Sequence, residues 1–121
     1  MSGSVYVPLA GDLIWTDFDP RIGREQSGRR PALVLSAEEF FLASSFLIVC
    51  PITSTIRRFG SSVLLPSGLP IAGEILTSHV RSIDALARPI RYAGAAVAET
   101  TLAEVRAKLG VLCGILGRAM A

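Results

Sequence analysis

The feature that most constrains the fold is a change of period along the chain. Through the first two thirds the apolar residues come in short runs bounded by Pro, Ser and Gly, whereas in the final third they recur at helical spacing. "GDLIWTDFD" sets Leu13, Trp15, Asp17 and Asp19 against Asp12, Ile14, Thr16 and Phe18, the alternation of a strand with two unequal faces. "PALVLSA" and "SSFLIVCPIT" are β-branched or apolar throughout and read as central strands. "SSVLLP" offers a short fourth strand and "GEILTSHVRSIDA" a long fifth that bends or carries a bulge, with the turn region "LPSGLPIAG" between them. "RPIRYAGA", which starts beside a proline, is edge-like. Leu102, Val105, Leu109, Leu112 and Leu116 then recur at spacings of three and four, and Thr101 with Glu104 fits a capping box. Gly110, Gly114 and Gly117 lower the intrinsic helicity of that segment, so tertiary contact must hold it.

Strands first and helix last gives an α+β class: a small, barrel-like, strongly twisted antiparallel sheet of five or six strands with a C-terminal helix. At 121 residues the expectation is one domain over 1–121. Half the residues are apolar and only 18% are charged, which excludes disorder and favours a fold or assembly that hides much of its surface. No apolar run reaches the roughly 18 residues of a membrane span, and "MSGSVYVPLAGD" lacks the basic and long apolar regions of a secretion signal, so a cytoplasmic protein is expected. Cys50 and Cys113 both sit in apolar runs and read as buried small hydrophobes.

The usual signatures of a reaction centre are missing: there is no phosphate-binding glycine loop, no Cys or His pair at metal spacing and no nucleophile elbow, so no metal or cofactor is expected. His79, the only histidine, reads on its own as a structural residue. What stands out is the polar segment "DFDPRIGREQSGRRPALVLS", which gathers Arg21, Arg24, Glu25, Gln26, Arg29 and Arg30 around Gly23 and Gly28. Guanidinium forks grip phosphate at two points, and glycines let backbone amides approach it closely. Lys108 is the only lysine among twelve basic residues, although codon preference can produce the same bias. Arg29 and Arg30 directly precede Pro31, which fixes an extended geometry, and an apolar run follows; Arg30 is therefore rooted at the start of a strand.

The stretch "GDLIWTDFDPRIGREQSGRRPALVLS" closely resembles the opening of the MazF/PemK family of toxin endoribonucleases, with Gly23, Glu25, Gln26, Gly28, Arg30 and Pro31 in register. "VCPITST" at 49–55 is similar to the family's strand end, a proline followed by hydroxyl residues, and "LTSHVRSID" to the segment lining its groove. The resemblance implies a symmetric homodimer that cuts single-stranded RNA without metal or cofactor, leaving a 2′,3′-cyclic phosphate and a free 5′-hydroxyl. It also implies a cognate antitoxin whose flexible tail occupies the RNA groove. By position, Arg30 matches the family's catalytic arginine and Thr53 its catalytic hydroxyl.

The chemistry suits these residues, because the ribose 2′-hydroxyl is an internal nucleophile and the protein mainly has to align it and stabilise charge on phosphate. A guanidinium stays protonated, which makes Arg30 a transition-state stabiliser or proton donor and not a base. Thr53 would hydrogen-bond a phosphate oxygen or orient the nucleophile. Glu25 and Gln26 would place the loop or read bases; Arg24, Arg29, Arg57, Arg58 and Arg81 would contact phosphate, and the resemblance moves His79 into the groove. Two rival readings share the fold: a gyrase poison, which acts through a C-terminal aromatic that "ILGRAMA" lacks, and a binding module that holds RNA or antitoxin without cutting.

Overall fold

The structure, a computed structural model, describes residues 5–18 and 29–115. Its order is β1 (Asp12–Thr16), β2 (Arg30–Val34), α1 (Glu38–Ser44), β3 (Phe46–Thr53), β4 (Val63–Leu64), β5 (Glu74–Ile75), a 3-10 turn (Thr77–His79), β6 (Arg81–Asp84), β7 (Ile90–Ala96) and α2 (Glu99–Leu112). All strand pairings are antiparallel and form one seven-stranded sheet, ordered β4-β5-β3-β2-β1-β7 with β6 also on β3. The sheet stays open, with β4 and β7 at its ends. Among the described residues no helix is long and apolar enough to cross a membrane.

The apolar runs fill both faces of the sheet, which is why "ALVL" and "FLIVC" lack polar alternation. Leu33, Cys50, Ile52 and Ile75 pack on one side with Leu102 and Val105 of α2. Ile14, Ala32, Val34, Leu47, Val49 and Ile83 fill the other, with Phe41 of α1 against them. The polar residues of β1 are also buried and each is satisfied. Asp12 accepts the Tyr6 hydroxyl at 2.6 Å and the Leu9 N–H at 3.0 Å, and Thr16 donates to the Pro89 carbonyl at 3.1 Å. β7 slips against β1 between Asp12 and Ile14, and Gly94, at φ +96°, lies within that irregularity.

The long fifth strand expected over "GEILTSHVRSIDA" is in fact two. Ile52 and Thr53 of β3 pair with β5, and Phe46–Val49 pair with β6. Between them lies Pro51, whose carbonyl accepts the Leu76 N–H at 2.9 Å. In a strand the N–H and C=O of one residue point to the same edge, so the missing N–H of Pro51 faces this partner. Continuous pairing cannot pass that point, and Leu76 to Val80 leave the sheet through the 3-10 turn. This break raises the strand number to seven.

α1 was not foreseen: at seven residues it is too short to show a period, and none of its residues is buried. Glu38 and Glu39 favour its N-terminus, and Ser45, left-handed at φ 66°, closes it with an N–H to the Phe41 carbonyl at 2.7 Å. At α2 the expected capping box is absent. The helix begins at Glu99 after Ala98, with no side-chain cap, and Thr101 lies buried inside it. Its start is set by the sheet, where the Val97 N–H bonds the Gly11 carbonyl at 2.9 Å, and by burial of Leu102 and Val105. Gly114 is not a weak point inside the helix. At φ +75° it ends it, donating to Val111 at 3.1 Å while Ile115 donates to Gly110 at 2.8 Å, the paired bonds of a Schellman stop. Leu112 is exposed, and Leu116 and Gly117 lie outside the described residues.

Cys50 is buried as expected, and burial pushes its thiol up to about 12; Cys113, read as buried, is exposed beyond α2. A thiol-alkylating reagent at pH 8 should therefore modify Cys113 in the native protein and Cys50 only after denaturation, as read by peptide mass spectrometry. A second prediction concerns Gly73, at φ +142°, where an added Cβ would overlap the Thr53 carbonyl oxygen. Gly73→Ala should lower stability by about 1–3 kcal/mol, seen as a reduced denaturation midpoint.

Candidate active site

Arg30 opens β2 and Thr53 closes β3, so antiparallel pairing brings these ends together. The register runs Val34↔Val49, Leu33↔Cys50, Ala32↔Pro51, and continuing it by two residues sets Arg30 across from Thr53. On its other side Arg30 pairs with Thr16 of β1, which roots its backbone in the sheet while its side chain stays exposed. Both residues line one cleft of about 900 Å³.

Thr53 is held from three directions. Its hydroxyl oxygen accepts the Thr55 N–H at 3.1 Å, which orients the group and leaves its proton to donate elsewhere. Its backbone is paired with Glu74 of β5, and its carbonyl lies against Gly73. Arg29 and Arg81 line the same cleft. The Arg81 guanidinium stacks on Phe18, 5.1 Å from the ring centroid, and donates to the Phe18 carbonyl at 3.5 Å. The cleft thus brings three guanidinium groups and a row of hydroxyls, Thr53, Ser54 and Thr55, to one surface. That combination of forked cations and hydroxyl donors matches a phosphate-bearing ligand.

The other expected residues fall differently. Arg57 and His79 border an adjoining hollow of about 340 Å³, which shares Thr53, Thr55 and Leu76 with the main cleft. Arg58 lines neither; it is left-handed at φ 57°, and its N–H is bound by a carboxylate. Arg24, Glu25 and Gln26 lie outside the described residues. Among the described residues no three His, Cys, Asp or Glu side chains come together as a metal-holding group.

Sequence reasoning missed Glu74. It is 1% exposed, and its carboxylate accepts the N–H groups of Arg57 at 2.9 Å and Arg58 at 2.7 Å. An acid inside the apolar run "GEIL" was the available signal, because a buried carboxylate requires partners. Trp15 and Phe18, which read as positions of the alternating first strand, line the cleft wall, and Phe59 lines the adjoining hollow.

Comparison with known proteins agrees with this architecture. The chain is 40% identical over 111 residues to the endoribonuclease toxin MazF of Escherichia coli K12, covering 92% of this chain and 98% of that protein. The crystal structure of MazF from Deinococcus radiodurans superposes with a TM-score of 0.81 at 43% identity, covering 91% of this chain and 99% of that one. MazF in a MazE-MazF crystal structure from the same organism superposes with a TM-score of 0.85 at 42% identity, covering 92% and 99%. The model of the PemK-like, MazF-like toxins of type II toxin-antitoxin systems matches residues 9–113, and the chain belongs to that family.

Proposed function

We propose that this toxin is an endoribonuclease that cleaves single-stranded RNA, with Arg30 and Thr53 as its catalytic residues. The observation that supports the reading is the shared cleft, which is lined by Arg30 and Thr53 from two adjacent strands. Relatives named as endoribonuclease toxins, which match 92% and 74% of the chain, support the substrate class.

The ribose 2′-hydroxyl gives up its proton to water as its oxygen attacks the adjacent phosphorus, the new 2′-O–P bond forms and the P–O5′ bond breaks. The products are a 2′,3′-cyclic phosphate and a 5′-hydroxyl, and the leaving oxygen takes up a proton. In this reading Arg30 stabilises the charge that gathers on the non-bridging oxygens and supplies the leaving oxygen's proton. Thr53, its lone pair engaged by the Thr55 N–H, donates its own proton to a phosphate oxygen. Arg29 and Arg81 hold flanking phosphates. No metal enters this scheme, because the guanidinium groups supply the positive charge.

The protein acts as half of a toxin-antitoxin pair, a reading supported by its family and by the relative crystallised with MazE. An extended antitoxin tail would compete with RNA for the cleft. A homodimer is supported by apolar side chains left at the surface where α1, β3 and β6 meet, with Leu42 and Leu86 among the most exposed.

The purified protein should cut a long RNA at discrete sites in the presence of EDTA, and the fragments should carry 2′,3′-cyclic phosphate ends. Arg30→Ala should lower the single-turnover rate by about 10²–10³-fold. Thr53→Val, which keeps the shape and removes the hydroxyl, should lower it less, and Arg30→Lys should recover only part of the loss because an ammonium lacks the two-point fork. Cleavage that persists undiminished in Arg30→Ala would refute the assignment.

A further inference from the structure

Residues 54–60 are all exposed, so no buried side chain sets the course of the backbone as it leaves β3. It is held instead by one buried acid. The two carboxylate oxygens of Glu74 separately accept the N–H of Arg57, at 2.9 Å, and of Arg58, at 2.7 Å, and Arg58 is left-handed at φ 57°. Successive N–H groups closing on one anion form a nest, and a left-handed residue helps to turn them to the same side. A non-glycine residue adopts that conformation at a cost, which the charge-assisted bonds offset. Glu74 is 1% exposed, in a place where an apolar side chain would avoid the desolvation of a carboxylate. What the acid contributes is therefore the shape of the chain it binds.

The same residue fastens Thr53. Glu74 and Thr53 are direct partners across β5 and β3, so their side chains leave the sheet on one face. Thr53 at the start of the loop and Arg57 and Arg58 at its end are thus tied to a single residue, with Ser54, Thr55 and Ile56 between them. The Thr55 N–H that binds the Thr53 hydroxyl oxygen at 3.1 Å belongs to this closed segment. We propose that Glu74 is a positioning residue, which holds the Thr53 hydroxyl in one orientation through the 54–58 loop without itself touching the ligand. The kinetic consequence rests on the proposed RNA cleavage; the conformational one does not. When the bonds to Glu74 are lost the loop is released, the Thr55 N–H leaves the hydroxyl, and Thr53 exchanges among its rotamers.

The test uses the full chain and reads Thr53 directly. Three-bond NMR couplings from the Thr53 γ-methyl carbon to its backbone nitrogen and carbonyl carbon report the χ1 rotamer. The wild type should show a single rotamer, and Glu74→Gln, whose amide turns a donor toward one of the two N–H groups, should show averaging. In parallel, its single-turnover cleavage rate per folded molecule, with folding verified by thermal melting, should fall by about 10- to 100-fold. Glu74→Ala should behave in the same way. Adding Arg58→Gly to Glu74→Gln should restore the single rotamer and part of the rate, because glycine adopts the left-handed conformation freely; adding Arg58→Ala removes the same guanidinium and should restore neither. A single Thr53 rotamer in both Glu74 variants overturns the positioning role and leaves the nuclease reading standing. A rate per folded molecule equal to that of an active wild type, or equal behaviour of the glycine and alanine partners, overturns it as well. If the wild type cuts no RNA while Thr53 follows Glu74 as expected, the nuclease reading falls and the positioning role stands.

Discussion

The missing N–H of Pro51 is the constraint from which the rest of the molecule follows. β3 is the strand that touches most of the sheet, with β2 along one edge and both β5 and β6 along the other. A proline near its end forbids an unbroken partner on that second edge, so the chain opposite divides and turns outward at Leu76 to Val80. The division does two things at once. It lets the end of β3 pair with Glu74, the acid that anchors the next loop, and it puts Leu76 on the cleft wall and His79 on the adjoining hollow instead of in the sheet.

Rigidity around Thr53 comes from backbone contacts more than from side-chain bulk. Gly73 allows a main-chain approach that any larger residue would prevent, and the Thr55 N–H fixes the hydroxyl from within the same turn. Arg30 is rooted differently, between β1 and β3, where pairing with Thr16 sets its Cα and leaves the guanidinium free to reach into the cleft. Both backbones are thus set by the sheet before any ligand enters the cleft.

Much of this was legible in the sequence. Alternation located β1, although both its faces are buried; the apolar runs located β2 and β3 because burial on both faces leaves a continuous signal, and Pro31 marked the rooting of Arg30. What escaped has physical reasons. The split at Pro51 depends on which edge of β3 the proline faces, a matter of three-dimensional pairing that a strand pattern does not encode. α1 is too short for periodicity, and its unburied residues respond to the helix ends alone. The start of α2 is fixed by Val97 on the sheet, so Thr101 and Glu104 mimicked a cap that tertiary contact overrode. Glu74 was hidden because its role lies in the amides it receives, and those belong to residues seventeen and sixteen positions away.

Lys108 gives the molecule an unusual chemical asymmetry. It is the only lysine in the chain, half buried, and its ammonium is spent on two main-chain oxygens of the segment after Phe59. Acylation of side-chain amines, whether by a cellular acetyl donor or by a laboratory coupling reagent, has therefore a single target here. Neutralising it would release one side of that segment while leaving every arginine of the cleft untouched.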